Sequence, residues 1–515
     1  MSIVAAFGHG LRLARAGFVF AREGAFVDVD AALLPPIARL PLALANLIAK
    51  RNVYGLTGLS RAIDRLGPSY VKMGQFLSTR PDIVGPKVAL ELESLQDRVT
   101  PMSRQAAIGI IEAAFGAKID TLFESFGEPV AAASIAQVHR ATVQTEKGKK
   151  PVAVKVLRTG IERRFVRDLA DMFFGARLAE RVTPEIRRLR PVQVVETLAR
   201  SVRMEMDFRL EAAAASEFAE NSKDDPDVRA PAIDWDRTTR EVMTMEWVEG
   251  VPIADPERLA ALGHDPRALA RALIQTFLRH ALRDGFFHAD MHQGNFFVDE
   301  AGRIVAVDFG IMGRLGRKER RFLAEILFGF IRRDYLRVAE VHFEAGYVPH
   351  VHKVEDFAQA IRAIGEPIHS RTADQISMAK LLTLLFDITA LFDMTTRVEL
   401  VLLQKTMVVV EGVARKLDPH LNMWSTSEPV VGAWIAENLG PRGRVEDASR
   451  RLASAAAFLS EAPQRLEDMV VRLETAAAGR VAKQFENDIS HSAWTYLVVG
   501  FFLALLAFVV FRWVL

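Results

Sequence analysis

The chain has no cysteine among its 515 residues. That excludes disulfides, thiolate metal sites and a cysteine nucleophile, and it fits a reducing compartment. There is no charge excess either. The 66 Lys+Arg against 64 Asp+Glu leave a formal +2, so nothing polybasic points to nucleic acid, and no RNA-binding or zinc-finger signature is present. A secretory cleavage pattern, internal repeats, long low-complexity tracts and a Gly-x-Gly-x-x-Gly flavin fingerprint are also missing. The length leaves room for two to four domains and a sizeable core.

What is present centres on Gly285–Gly310, GFFHADMHQGNFFVDEAGRIVAVDFG. Asp290 and Asn295 stand five residues apart, and Asp308 follows thirteen later inside Asp-Phe-Gly. This is the layout of a protein kinase catalytic loop and its metal-binding triplet. Phosphoryl transfer needs a carboxylate near the attacking oxygen, here Asp290. It also needs oxygen ligands, here Asn295 and Asp308, that hold Mg²⁺ on the phosphates of ATP or ADP.

Upstream, residues 1–115 read as helices broken by Pro35, Pro36, Pro41, Pro68, Pro81, Pro86 and Pro101. Arg12, Arg15 and Arg22 lie among apolar residues with no acid before Glu23, so an amphipathic surface helix is favoured over a mitochondrial presequence. In Leu66–Pro86, Lys72 and Gln75 share a helical face and Gly74 allows close backbone approach.

Residues 116–250 carry the β pattern: two strands around a polar turn at Lys147–Lys150, then Val152–Leu157. Lys155 alternates against Val154 and Val156, as the phosphate-binding strand lysine of kinases does. Where kinases have a Gly-rich loop, this chain has Ala131, Ala132, Ala133, Ser134, Ile135 and Ala136, a stiffer lid. One long helical pattern over Gln193–Glu220 carries Glu211, the candidate partner of Lys155. Glu205 and Asp207 lie about 200° apart on an unbroken helix; either they contact different groups or the helix is irregular there. Thr239–Val248 reads as a strand entering a hinge, where the backbone of Glu246 and Val248 could meet adenine.

Residues 251–424 read as a helical second lobe, with an amphipathic helix over Pro266–Arg283 ending at Asp284-Gly285. After Gly310 a helix is expected within about ten residues, and there is no Ala-Pro-Glu. His288-Ala289-Asp290 lacks the arginine that would bind an activation-loop phosphate. A protein substrate docked in the usual way is therefore not expected. Ser425–Arg444 is Gly/Pro/Ser-punctuated and reads as the start of a linker-and-helix region, 425–490. Ala493–Phe511 runs 19 residues without a charge, flanked by Trp494, Tyr496 and Trp513. That is enough to cross a ~30 Å hydrocarbon core.

Four motifs coincide in order: KMGQ (Lys72–Gln75), AAASIAQVH (Ala131–His139), EMD with Glu211, and HADMHQGN followed by DFG. In this the chain resembles the UbiB family of atypical protein-kinase-like proteins over essentially its whole length. The family often has proline where Met291 and Gln293 stand, and some bacterial members carry two membrane helices. The resemblance implies an α+β, two-lobed kinase-like fold with an N-terminal helical extension and a C-terminal transmembrane helix. It implies adenine-nucleotide and Mg²⁺ binding, ATPase activity and support of ubiquinone biosynthesis at a membrane, close to lipid or polyprenyl quinone precursors and other quinone-biosynthesis proteins. It implies that the Lys72–Gln75 helix folds over the cleft, that Glu205 and Asp207 face that extension, and that Glu211 pairs Lys155.

Since ATP is cytoplasmic, the kinase-like body is expected on the cytoplasmic side of a bacterial inner membrane, or on the matrix side of the mitochondrial one. Two other readings compete. A non-catalytic scaffold would not need all three metal and catalytic residues. A polyprenylphenol hydroxylase would have to build an iron site from His288 and His292, without a convincing third ligand.

Overall fold

The computed structural model describes residues 3–27, 36–50, 58–78, 84, 86–93, 95, 101–146, 148–182, 190–369, 388, 391–394 and 398–440. The expected amphipathic helices of 445–490 and the expected membrane span Ala493–Phe511 lie outside the described residues. Among the described residues no helix is long and apolar enough to cross a membrane.

The first lobe is an antiparallel sheet in the order β1 (Ser125–Ala132), β2 (Ala136–Thr145), β3 (Gly148–Leu157), β6 (Val242–Glu246), β5 (Ile233–Asp234). Alternation along β3 sends Val152, Val154 and Val156 to one face, under Ala107, Ile108 and Ile111 of helix Arg104–Phe115. Ala153 and Leu157 go to the other face, into a core with Phe165, Leu198, Val202, Phe208 and Met243. Helix Arg104–Phe115 thus belongs to this lobe. The β2–β3 turn is tighter than its lysines implied: β2 reaches Thr145 and β3 starts at Gly148, so Lys149 and Lys150 are strand residues. Thr145 Oγ1 donates to Gly148 O at 2.7 Å and closes the turn.

The continuous helix expected over Gln193–Glu220 is two helices, Pro191–Glu205 and Phe208–Asn221. Asp207 is the reason. Its carboxylate accepts the Arg209 N–H and caps the second helix.

The second lobe packs helices Pro266–Arg279, Arg317–Arg332, Val398–Leu417 and Met423–Asn438 around short strands. The strands are β4 (Val228–Arg229), β10 (Ile304–Ala306), β9 (Phe296–Val298) and β7 (Val251–Pro252), with β8 (Phe286–His288) paired to β11 (Met312–Arg314). The amphipathic helix ends at Arg279, not Arg283, and a wider turn over His280–Asp284 runs to Gly285. Gly285 has φ +65°, and a Cβ there would meet Leu315 O at 2.5 Å, so only glycine turns the chain into β8.

Ser425 opens no linker. Residues Met423–Asn438 form a helix capped by Asn422 Oδ1, with Thr426, Ser427 and Val431 buried. Composition misled here because Pro429 and Gly432 are accommodated within packing against Pro266–Arg279 and Arg317–Arg332.

The N-terminal extension is helical. Pro36, Pro68 and Pro86 each open a helix, whereas Pro41 sits inside Pro36–Ile48 rather than breaking it. Ile63, Val71, Val88, Leu92 and Leu95 form its core. Arg164 of helix Ile161–Val182 donates to Leu66 O at 2.7 Å and fixes the extension to the first lobe.

Candidate active site

β3 delivers Lys155 to the space between the lobes, where its Nζ lies 2.6 Å from Glu211 Oε1 and 3.5 Å from Asp308 Oδ1. Phe208, one turn before Glu211, puts its ring 5.5 Å from the same nitrogen. Glu211 also accepts the Phe309 N–H at 3.4 Å. One carboxylate therefore ties the strand lysine to the Asp-Phe-Gly backbone. Burial opposes the Lys155 charge, but the carboxylates of Asp308 and Glu211 outweigh it and hold Lys155 protonated well above the ordinary lysine range. Burial raises Glu211, against the pull of Lys155. Burial would raise Asp308 too, yet Lys155, the Gly310 N–H and, more distantly, Lys72 hold it well below the usual carboxylate range.

The catalytic loop is braced by His288. Its Nδ1 accepts the Asp290 N–H at 3.1 Å, so Nε2 carries the proton and donates to Asp308 O. Burial keeps this imidazole neutral, against the nearby Asp290 and Asp308. Both ring nitrogens are thus occupied, and His288 cannot join His292 as a metal ligand without losing at least one of these hydrogen bonds. Among the described residues no group of three or more His, Asp or Glu could hold a metal alone.

Asn295 Nδ2 donates to Asp290 O at 3.0 Å, which directs its Oδ1 away from the loop. The Asp290 carboxylate, half exposed, lies 3.6 Å from His292 Nε2. Mg²⁺ takes oxygen ligands and is usually held by one or two protein groups together with substrate phosphates. Asn295 Oδ1 and the ionised Asp308 fit that demand, with Lys155 placed for phosphate oxygens. When bound, such a cation would supply neutralisation of phosphate charge.

The Ala-rich lid is a hairpin. β1 reaches Ala132, β2 starts at Ala136, and Ala133 N–H donates to Ala136 O at 2.8 Å across the turn. Ser134 is fully buried, and Ile135 O accepts the Arg158 N–H at 2.9 Å from the end of β3. At the hinge, the Glu246 side chain is engaged elsewhere, accepting from Arg229 at 3.1 Å and from the Ala232 N–H at 3.2 Å. Its backbone N–H is engaged too, donating to Ala232 O at 2.8 Å, and Val248 lies just beyond β6.

The residues expected to roof the cleft divide. Lys72 Nζ meets Glu205 Oε2 at 2.6 Å, and Gly74 is buried against Leu95, Ile63 and Leu92 on the opposite side of helix Pro68–Ser78. Gln75 shares the Lys72 side, and its carbonyl accepts from Ser78 Oγ at 2.7 Å. Asp207 does not face the extension: it caps Phe208–Asn221 and pairs with Arg209 at 2.9 and 2.7 Å. Glu205 ends the first helix and Asp207 caps the second, so the two carboxylates contact different groups.

Several positioning contacts carried no motif. Lys405 Nζ donates to Ser78 Oγ at 3.2 Å, so the last turn of the Lys72 helix is also held by the second lobe. Thr406 Oγ1 donates to Ala289 O at 3.0 Å inside the catalytic loop, and Lys416 reaches Gln293 at 2.8 Å. Arg314, four residues past Gly310, clasps Glu217 of the Glu211 helix at 2.9 and 2.6 Å and lies over the Phe286 ring at 4.4 Å. A Glu-Arg pair separated by 97 residues leaves no local signal. A Lys-Thr pair on the apolar helix Val398–Leu417 could have raised suspicion.

A two-lobed fold with a lysine–glutamate pair, an Asp-Phe-Gly aspartate and a catalytic-loop Asp–Asn defines a protein-kinase-like protein. The comparisons agree. Residues 94–342 match the ABC1 atypical kinase-like domain and residues 361–422 the UbiB helical domain. The chain is 40% identical to a probable protein kinase UbiB of Marinobacter nauticus over 90% of this chain and 86% of that protein. It is also 40% identical to one of Pseudomonas putida, over 75% and 72%. The chain belongs to the UbiB family of atypical kinase-like proteins. A solved structure described as the Rv3197–erythromycin complex from Mycobacterium tuberculosis is similar at 26% identity, with a TM-score of 0.49 over 64% of this chain and 83% of that one.

Proposed function

We propose that this protein binds ATP or ADP with Mg²⁺ between its lobes and hydrolyses ATP in support of ubiquinone biosynthesis at a membrane. The observation that carries the reading is the Lys155 ammonium held between Glu211 and Asp308 at 2.6 and 3.5 Å. A lysine kept charged beside an ionised carboxylate suits phosphates and their cation. Lys155 would hold the phosphates, Glu211 orient Lys155, Asn295 and Asp308 carry Mg²⁺, and Asp290 accept a proton from the attacking oxygen. The Ala131–Ala136 hairpin would cover the nucleotide, with its base at the Glu246–Val248 backbone.

Family membership supports the link to ubiquinone synthesis. The acceptor favoured is water or a small lipid-like molecule, because β11 turns back onto β8 directly after Gly310 and helix Arg317–Arg332 begins seven residues later. That leaves no activation segment to seat a peptide. The body would lie on the cytoplasmic side of a bacterial inner membrane, anchored by Ala493–Phe511. The test is phosphate release by the full chain in detergent, with Mg²⁺ and a quinone-precursor phenol. Asp308→Asn should abolish release; equal release by both proteins rejects the enzymatic reading.

A further inference from the structure

His292 stands two residues after Asp290 in the catalytic loop, and its ring is half exposed. Its Nδ1 accepts the Gly294 N–H at 3.0 Å and so caps the short turn Gln293–Asn295. Capping alone does not call for an imidazole, because Ser, Asp and Asn are better at it. Elsewhere in this chain Asp265, Asp334 and Asn422 do that work. The next-but-one residue makes room for the ring. A Cβ at Gly294 would stand 2.9 Å from His292 Cε1 and 3.1 Å from its Nδ1, so any larger residue there would push the imidazole aside. What the imidazole adds over a shorter cap is a second nitrogen. With Nδ1 accepting, the proton of the neutral ring sits on Nε2. That nitrogen lies 3.6 Å from Asp290 Oδ2.

A second N–H converges on the same oxygen. Asn295 Nδ2, which donates to Asp290 O at 3.0 Å, also stands 3.4 Å from Asp290 Oδ2. Both donors address Oδ2, so among the described residues Oδ1 is the carboxylate oxygen left for a proton from outside. We propose that His292 is a positioning residue for phosphoryl transfer: its Nε2–H, together with Asn295, holds Asp290 by Oδ2 and presents Oδ1 to the acceptor. This rests on the proposed function above, in which Asp290 is the base. As the acceptor oxygen bonds the γ-phosphorus and the bond to the ADP oxygen breaks, the acceptor's proton passes to Oδ1. A carboxylate free to turn would be misaligned for part of the time, and proton transfer would slow accordingly. At 3.6 Å the His292 contact is longer than a formed hydrogen bond. Contacts of this kind commonly tighten only when substrate is bound.

Two variants of the full chain, assayed in detergent with Mg²⁺ and ATP, separate reach from capping. His292→Asn keeps a capping oxygen but is shorter than the ring, whereas His292→Gln carries an amide N–H farther out. His292→Asn should lower kcat about tenfold, with Tm and the calorimetric affinity for ADP unchanged. His292→Gln should recover about threefold or more of that loss. Wild-type kcat in His292→Asn overturns the proposal, because the cap would then be the whole role. Equal losses in the two variants overturn it as well, and so does a loss of ADP affinity, which would make His292 a nucleotide contact. The tautomer gives a readout without turnover. In ¹⁵N-histidine spectra of the nucleotide-free protein at mildly alkaline pH, the signal missing from His292→Asn should be that of a ring protonated on Nε2. A ring protonated on Nδ1 rejects the proposal. No phosphate release by the wild type would reject the enzymatic reading and this inference with it, whereas the other adverse outcomes remove the inference alone.

Discussion

Lys72 Nζ lies 2.6 Å from Glu205 Oε2, with both side chains largely buried. This single ion pair joins the extension to the end of helix Pro191–Glu205, and the Lys72 charge is also felt at Asp308. Removing one partner leaves the other poorly solvated, so Lys72→Ala should destabilise the protein by about 1–3 kcal/mol. The double variant Lys72→Ala/Glu205→Ala should lose less than the sum of the singles, read by chemical denaturation as a double-mutant cycle. Taking a cation away from Asp308 should also raise apparent Mg²⁺ affinity in nucleotide binding about two- to fivefold. Additive stabilities together with unchanged Mg²⁺ dependence would dissociate the Lys72 helix from the site.

The Lys155–Glu211 pair makes a different prediction, because the carboxylate has two jobs: it holds the lysine and accepts the Phe309 N–H. Glu211→Gln keeps the shape and the second contact but loses the charge. ATP turnover should fall at least about tenfold, and Tm should drop because buried Lys155 loses one of its two carboxylates. Lys155→Met should fall further and weaken nucleotide binding. A Glu211→Gln protein with wild-type turnover would show that Lys155 needs no orientation.

The polar motifs were legible because each chemical group needs a fixed residue type: Lys155 meets Glu211 and Asp308, and Asn295 reaches Asp290. What was not legible depended on context. Asp207 stands one turn before Glu211, so an unbroken helix would have placed it on the same side. Instead its carboxylate found a nearer donor in the Arg209 N–H and ended the helix. Met423–Asn438 is helical because buried Val431, Thr426 and Ser427 outweigh the turn-forming composition. Arg314–Glu217 and Lys405–Ser78 join residues distant in sequence, and only the fold brings them together.

Two histidines outside the Lys155–Asp308 cluster set a pH limit. His139 donates from Nδ1 to Gly127 O at 2.9 Å and accepts from Gln137 Nε2 at 2.7 Å. His342 Nδ1 donates to Val338 O at 2.7 Å. Burial lowers the pKa of both, against those carbonyl bonds. A lowered folded pKa means that the unfolded chain takes the proton first. Stability is therefore full above about pH 6.5 and falls as pH drops toward the folded values, by up to ~1.4 kcal/mol per pH unit for each histidine. Urea denaturation at a series of pH values should show this fall, and His342→Gln should reduce its slope by about one proton. An unchanged slope would mean that His342 protonates in the folded state as easily as in the unfolded one.

Arg314 and Glu217 occupy the place where a kinase's activation segment would begin, and their pair is bidentate and exposed. An exposed pair contributes little to global stability, about 0–1 kcal/mol, so Arg314→Ala should hardly change Tm. Its effect should appear in turnover. Arg314 belongs to β11, which holds β8 and the start of the catalytic loop, and Glu217 sits on the helix that presents Glu211 to Lys155. Loosening that clasp lets the helix drift from the lysine, so kcat should fall about three- to tenfold with KM for ATP little altered. The exchanged pair Arg314→Glu/Glu217→Arg should recover part of the loss, which a merely structural role for either residue would not produce. Full activity in Arg314→Ala would place the control of the Glu211 helix in its buried contact with Asp-Phe-Gly alone, where Phe218 meets Phe309 at 5.3 Å.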